Sequence, residues 1–152
     1  MASAGARIGW PNPGKSWGRR ARGHQASPGR APEQVAESWL AKGPSLVVIT
    51  LGPAGLLAAT RQAGVLRRPG RAVEVVDTVG AGDACMAALL AGLHRRHLLG
   101  ADRRAELRTV DAVTLAELAD EAILAAAITC TRPGADPPTA AELTAAGSTR
   151  GP

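Results

Sequence analysis

Residues 80–83, with the sequence GAGD, combine small residues and an acid in a pattern that can hold an anion and move a proton. Gly80, Ala81 and Gly82 have no bulk that would keep a ligand away from their backbone N–H groups. A helix beginning after them adds its positive N-terminal end at the same place. The carboxylate of Asp83 then faces whatever polyanion or hydroxyl is held there, and we interpret it as a general base.

The elements around this turn are predicted from hydrophobic periodicity. An apolar run at residues 72–76 predicts a strand that leads into the turn, and residues 84–97 predict the helix behind it. A second long helix is predicted at 113–129, where leucines and alanines recur at helical spacing. Further strands are predicted at 46–50, 56–60 and 65–68, and further helices at 33–40 and 140–146. The run LVVIT at 46–50 is apolar without alternation, which indicates a strand covered on both faces of a mixed sheet.

Composition divides the chain into three parts. Residues 1–32 are rich in Gly, Pro and Arg and contain six Lys or Arg with no Asp or Glu, so we expect a disordered basic tail. Residues 33–146 are expected to fold, and residues 147–152 to form a frayed end. Outside the tail the chain contains 12 basic and 13 acidic side chains, so the folded part carries none of the excess positive charge.

Charge and hydropathy also limit the partners and the location. We expect no nucleic-acid partner. A function in which the tail binds nucleic acid through phosphate contacts is left open as the weakest alternative. The chain has no apolar run long enough to span a membrane and no segment typical of a secretory signal. We therefore expect a cytoplasmic protein with no membrane partner.

Three other features have the form of functional sites and are interpreted otherwise. GWPNPGKS at 9–16 fits the letters of a phosphate-binding P-loop, but no buried strand precedes it and its two prolines remove amides that would bind phosphate. His94 and His97 have no third metal ligand beside them, which favours a solvated helix end. Cys85 and Cys130 lie in apolar patterns and are expected to be buried thiols.

The sequence DTVGAGD at 77–83 resembles the C-terminal signature of the ribokinase-like, or PfkB, family of carbohydrate kinases. Two shorter sequences in the right order support this: TLGPAG at 50–55 resembles the family's nucleotide-side turn, and TCTRPGA at 129–135 is similar to the turn that closes the ATP pocket. The resemblance covers residues 33–146 and is fructokinase-like. It implies an α/β chain that forms the C-terminal portion of the ribokinase-like, Rossmann-like three-layer fold.

The resemblance also implies a role for each matching residue. Asp83 would take the proton from a sugar hydroxymethyl group, while the amides of Gly80, Ala81 and Gly82 would stabilise charge on the phosphoryl group leaving ATP. Asp77 and Thr78, together with backbone carbonyls near residues 132–135, match the part of the family that holds a monovalent cation such as K⁺, and Mg²⁺ would arrive with ATP. The implied nucleotide contacts are Thr50, Gly52 and Gly55 beside the triphosphate and ribose, and Ala126, Ala127 and Thr131 beside adenine.

Members of this family are longer and place their sugar contacts in an N-terminal half that residues 1–32 do not resemble. Two functions therefore lead: a sugar kinase that is active once another polypeptide supplies that half, and a non-catalytic nucleotide-binding remnant. The implied partners are ATP, a sugar, and either the missing half or a second copy of the chain. The same truncation predicts an exposed hydrophobic sheet edge, which is prone to pairing or aggregation.

Overall fold

The structure, a computed structural model, describes residues 29–148. Residues 1–28 of the expected basic tail, including the P-loop-like sequence at 9–16, and the last four residues of the expected frayed end lie outside this range. The elements are α1 (Pro32–Leu40), β1 (Leu46–Thr50), β2 (Leu56–Thr60), β3 (Gly64–Arg68), α2 (Ala81–Arg95), α3 (Arg104–Arg108), α4 (Ala112–Cys130) and α5 (Ala140–Ser148), with short 3₁₀ turns at Gly52–Ala54 and Ala101–Arg103.

The three described strands form an antiparallel sheet in the order β1-β2-β3. The prediction of a mixed sheet is wrong for these strands, because a short connection joins each strand to the next and two-strand hairpins are antiparallel. Gly55 and Gly64 end these connections with φ values of 96° and 69°, which glycine adopts at little cost. The predicted positions of all three strands are confirmed to within one residue.

Helices cover the sheet on both faces. Leu56 and Ala58 of β2 join the main core cluster under helix α4, whereas Ala59 packs with Val47 against Ala36 of α1. All five residues of β2 are buried, since this strand is central in the sheet and has helices on both sides. The side chains of β1 also pack into both clusters, as its unbroken apolar run predicts.

Helices α2 and α4 pack against each other at close range. A Cβ atom added at Gly92 would lie 2.6 Å from Cδ2 of Leu118, so a larger residue here would force the buried Leu118 side chain to move. At the edge of the contact Arg96 pairs with Glu117 at 2.9 Å. Helix α4 is capped at its start by Asp111, whose Oδ1 accepts from the N–H of residue 114 at 2.8 Å.

The sequence-predicted strand at residues 72–76 is not formed. The N–H groups of Val76 and Asp77 both donate to the carbonyl of Cys130, at 2.8 and 3.3 Å, instead of joining a strand ladder. This segment therefore caps the C-terminal end of α4 rather than extending the sheet. Helix α2 likewise begins at Ala81, three residues earlier than predicted, because the glycine turn leads directly into it.

The two thiols differ in their burial. Cys85 is buried, as predicted, and burial raises the pKa of its thiol. Cys130 is half-buried, and its pKa is raised by burial and then by the nearby charge of Asp77. None of the helices between residues 29 and 148 is long and apolar enough to cross a bilayer.

Candidate functional site

The glycine turn opens helix α2. Gly80 precedes the helix with φ 79° and ψ −7°, a left-handed conformation that disfavours other residues. The N–H of Ala81 donates to the carbonyl of Thr78 over a long 3.3 Å. The N–H groups of Gly82 and Asp83 have no acceptor among residues 29–148. These two amides, at the positive end of a 15-residue helix, can therefore bind an anion.

Asp83 is the third residue of α2, and its side chain is exposed. Within the described part of the chain its carboxylate forms no hydrogen bond or ion pair. The next two residues, Ala84 and Cys85, are buried, so the acid lies on the solvent side of the first helical turn. A carboxylate in this position can accept a proton from a bound hydroxyl without giving up a partner.

Asp77 joins the glycine turn to the loop that follows α4. Its Oδ1 accepts from the N–H of Val79 at 3.1 Å, and its Oδ2 accepts from the N–H of Gly134 at 3.0 Å. The backbone donors of Val79, Gly134 and then Thr78 hold the pKa of Asp77 below its ordinary value. One ionised carboxylate thus connects two segments that lie 57 residues apart.

A close backbone approach makes the second link between these segments. A Cβ atom at Gly80 would lie 2.7 Å from Cβ and 3.0 Å from Cα of Ala135. The sequences around 77–83 and 129–135 therefore lie side by side in the structure. Gly80 serves two needs, since its φ angle and the space beside it both exclude a side chain.

Helix α5 supports the loop after α4 through charged side chains. Arg132 pairs with Glu142 of α5 and, at 3.5 Å, with Asp136. Glu142 also accepts from the backbone N–H of Thr139 at 2.7 Å and from its hydroxyl at 2.9 Å. The amide of Thr139, then Arg132 and the Thr139 hydroxyl, lower the pKa of Glu142 to about 2. The loop after α4 is therefore held by Asp77 on one side and by Glu142 of α5 on the other.

The predicted nucleotide contacts lie on two elements. Thr50 and Gly52 are exposed at the end of β1 and in the turn after it. Gly55 is buried, and a Cβ atom there would lie 2.1 Å from the carbonyl oxygen of Arg68. The requirement for glycine at this position is thus structural, because the turn packs against the backbone that follows β3.

The predicted adenine side lies at the C-terminal end of α4. Ala126 packs half-buried against the main core cluster, and Ala127 is 8% exposed. Thr131 is exposed and caps the helix, with its hydroxyl donating to the carbonyl of Ile128 at 2.7 Å. Among these three predicted contacts, Thr131 is the one most open to a ligand.

No group of three or more His, Cys, Asp or Glu side chains within residues 29–148 is placed to hold a metal ion. His94 and His97 are exposed around the end of α2. The predicted K⁺ ligand Asp77 has suitable chemistry, because its lowered pKa keeps it ionised and each oxygen has a lone pair beyond the hydrogen bond it accepts. Asp77 thus fits a monovalent cation, and both Asp77 and Thr78 stay predicted ligands.

Sequence reasoning did not find the residues that hold the site together. The sequence indicates the turn at 129–135 through its Pro-Gly pair, and the resemblance associates carbonyls near 132–135 with Asp77 and Thr78, but neither predicts the contact of Ala135 with Gly80. No role for Glu142 is predicted.

A sequence profile described as "pfkB family carbohydrate kinase" matches residues 21–142. The chain is 54% identical over 50 residues to a fructokinase of Klebsiella pneumoniae, an alignment that covers 33% of this chain and 16% of the relative. The sequence match thus involves the same class of protein that the DTVGAGD signature indicates.

Solved structures with the same fold extend the comparison. A double-mutant fructokinase of Vibrio cholerae O395, in its fructose-, ADP- and potassium-bound form, superposes with a TM-score of 0.58 at 29% identity over 76% of this chain and 34% of that one. A ribokinase of Thermotoga maritima superposes with a TM-score of 0.59 at 26% identity over 79% and 35%. These superpositions confirm the predicted ribokinase-like α/β fold. The chain spans about a third of each solved relative.

Proposed function

This chain belongs to the pfkB family of carbohydrate kinases, and from that membership we propose that it carries the phosphoryl-transfer site of an ATP-dependent sugar kinase. The observation that carries the proposal is the exposed carboxylate of Asp83, which has no partner among residues 29–148, beside the free amides of Gly82 and Asp83 at the start of α2. The likeness to fructokinases makes fructose the first acceptor to test.

In the proposed reaction Asp83 accepts the proton of a sugar hydroxyl. The sugar oxygen bonds to the γ-phosphorus of ATP, and the bond from that phosphorus to the oxygen of the leaving ADP breaks. The transition state of phosphoryl transfer is loose, so its negative charge must be met by fixed donors. The amides of Gly80, Ala81 and Gly82 would supply such donors, with Ala81 exchanging its long bond to Thr78 for one to phosphate.

The remaining residues of the site would position the nucleotide and its counter-ions. Mg²⁺ would be bound through the ATP phosphates, and K⁺ through Asp77 and Thr78, where it would neutralise charge near the phosphates. The proposed nucleotide contacts stay Thr50, Gly52, Gly55, Ala126, Ala127 and Thr131. The exposed hydroxyl of Thr131 is the contact that substitution can test most directly. We propose a cytoplasmic location, as the sequence predicts.

The length comparison favours one further candidate, a nucleotide-binding module without activity of its own. The chain spans 34% of the solved fructokinase and 16% of the curated one, so a large part of each relative has no counterpart in the aligned region. In this case ATP would bind and no sugar would be phosphorylated.

Calorimetric titration with Mg-ATP and Mg-ADP, followed by a coupled assay for ADP release with fructose, separates these functions. We expect Asp83→Asn to leave nucleotide affinity within threefold and to abolish phosphoryl transfer, because it removes the base and keeps the turn. Asp102→Asn, which changes an exposed acid in the connection after α2, is the matched control and should change neither quantity.

The outcomes differ clearly. Nucleotide binding without transfer favours the non-catalytic module. Soluble, folded protein that shows no heat with either nucleotide would contradict both functions. Transfer that survives in Asp83→Asn would remove Asp83 from the role of base.

A further inference from the structure

Helix α5 touches both segments of the candidate site. Its Leu143 packs against three buried alanines of α2 and α4, which are Ala84, Ala88 and Ala125. The first of these alanines directly follows the candidate base, Asp83. The residue before Leu143, Glu142, pairs with Arg132 in the loop after α4. One short helix thus contacts the helix that presents the candidate base and the loop that lies against the glycine turn.

The two carboxylate oxygens of Glu142 have separate partners. Its Oε2 accepts from the N–H of Thr139 at 2.7 Å and from the hydroxyl of Thr139 at 2.9 Å, and the N–H of Glu142 donates to that hydroxyl oxygen at 3.3 Å. These reciprocal bonds form a capping box, which a threonine and a glutamate or glutamine three residues later can build. Its Oε1 accepts from the guanidinium of Arg132. The capping box does not require this last bond, so the start of α5 does not account for it.

Arg132 begins the loop whose backbone lies beside the glycine turn. Its side chain is 25% exposed, and it contacts Glu142 and, at 3.5 Å, Asp136. Between Arg132 and Asp136 lies Gly134, whose N–H donates to Asp77 at 3.0 Å. The next residue is the one that lies against the glycine turn. Because Gly134 has no side chain to pack, the conformation of the loop depends on contacts such as those of Arg132.

We propose that Glu142 is a positioning residue of the candidate phosphoryl-transfer site and that it acts through Arg132. By holding the Arg132 side chain on α5, Glu142 keeps residues 132–136 against the glycine turn, with the Gly134 amide on Asp77. The glycine turn then keeps the conformation in which its amides can bind a nucleotide phosphate. Glu142 itself touches no ligand in this role. The proposal rests on the proposed function, which supplies the nucleotide.

A second ion pair of the same type, away from this loop, provides a comparison. Arg95 of α2 pairs with Glu121 of α4, and their side chains are 55% and 39% exposed, against 25% and 44% for Arg132 and Glu142. Helices α2 and α4 already pack through the main core cluster, so the pair between Arg95 and Glu121 positions no loop. Exposed ion pairs contribute little to global stability. A difference between the two pairs therefore reports on the candidate site.

Glu142→Gln separates the two roles of this side chain. Glutamine can complete the capping box, but it cannot pair with the charge of Arg132. We expect the Gly134 amide of this variant to exchange hydrogen about tenfold faster by NMR, and the dissociation constant for Mg-ADP in calorimetry to rise about fivefold. The exchange of the Val79 amide, which donates to the other oxygen of Asp77, should stay within about twofold.

Two variants are the controls. Thr139→Ala removes the hydroxyl of the capping box and leaves the bond between Glu142 and Arg132 in place, and Glu121→Gln removes the comparison pair. Both should keep Gly134 exchange and Mg-ADP affinity within about twofold of the wild type. Equal changes in Thr139→Ala and Glu142→Gln would overturn the proposal, because Glu142 would then act only by stabilising the start of α5.

A double-mutant cycle tests whether Glu142 acts through Arg132. Adding Glu142→Gln to Arg132→Gln should change the dissociation constant for Mg-ADP by less than about twofold relative to Arg132→Gln alone, because the partner is already absent. Losses of affinity that multiply in the double variant would overturn the proposed route through Arg132.

Failure of the positioning proposal is distinguishable from failure of the proposed function, because Gly134 exchange is measured without a ligand. A folded wild-type chain that gives no heat with Mg-ADP contradicts the proposed function, and faster Gly134 exchange in Glu142→Gln would still assign the positioning role. Normal Mg-ADP binding together with unchanged Gly134 exchange in that variant contradicts the positioning role alone.

Discussion

Replacing Gly80 by alanine should destabilise the protein by about 2–5 kcal/mol, although it adds a single methyl group. A non-glycine residue in the left-handed region costs roughly 1–2 kcal/mol, and Gly80 has φ 79°. The added Cβ would lie 2.7 Å from Cβ of Ala135, well inside the 3.5–4.0 Å that carbon atoms prefer. Overpacking of this kind costs about 1–3 kcal/mol, which brings the total to the stated range.

Gly82→Ala is the matched control, two residues away in the same turn. A Cβ atom there meets nothing within 4 Å, and its φ is not in the left-handed region. Alanine should therefore stabilise the chain by about 0.5–1 kcal/mol through a less flexible unfolded state. If the proposed phosphate contact is correct, the same methyl group should weaken Mg-ADP binding at least tenfold, because it blocks ligand approach to the turn.

Urea unfolding followed by circular dichroism measures both effects. With a slope of about 1.5 kcal/mol per molar urea, a loss of about 3 kcal/mol lowers the midpoint by about 2 M. A Gly80→Ala midpoint equal to that of the wild type would refute the tight contact between the glycine turn and the loop after α4. A Gly82→Ala protein less stable than the wild type would refute the open space assigned to residue 82.

Three further predictions concern stability and are measured by the same unfolding experiment. Leu118→Ala should lower the free energy of unfolding by about 2–5 kcal/mol, because this side chain is 1% exposed. Val113→Ala, on the exposed side of the same helix, should change it by no more than about 0.5 kcal/mol. Equal losses in the two variants would contradict the assigned core. Thr60→Val should lower the free energy of unfolding by about 1–3 kcal/mol, since it removes the buried hydroxyl that donates to the carbonyl of Val110 at 2.8 Å. Thr60→Ser keeps the hydroxyl and should recover most of that loss. A serine variant as unstable as the valine variant would show that this hydrogen bond is unimportant. The pKa of Glu142 falls from an ordinary 4.5 to about 2 on folding, so its stabilising contribution is complete above about pH 4.5 and is lost as the pH falls through about 2. The urea midpoint of Glu142→Gln should change less with pH over that interval than the midpoint of the wild type. An equal pH dependence would contradict the stabilising contacts of Glu142 with Thr139 and Arg132.

Much of the fold could be predicted because the signals are local. The apolar run of β1, the glycine-bounded hairpin and the helical spacing along α4 each involve residues within a few positions of one another. The strand predicted at 72–76 does not form, and the reason is nonlocal. The amides of Val76 and Asp77 donate to the carbonyl of Cys130, which lies more than 50 residues along the chain. Propensity describes what a segment can do, and the available partner decides which option is realised.

The candidate site divides in the same way. The residue types of the turn, and the signature to which they belong, follow from the sequence alone. The position of Asp77 between Val79 and Gly134 was not, since a carboxylate shows no preference in sequence for a distant amide. The support that Glu142 gives to Arg132 was equally invisible, because it depends on where α5 packs.

By itself, the sequence determined the chemistry of residues 80–83 and the local conformations that present them. These follow from side-chain size, charge and the φ angles each residue can adopt, which are properties of the residue and its immediate neighbours. Only the tertiary structure decided that Ala135 lies against Gly80, that Asp77 is shared between two loops, and that Met86 and Leu90 are exposed. These are contacts and exposures between surfaces distant in the chain, and they exist only once packing has chosen which surfaces meet.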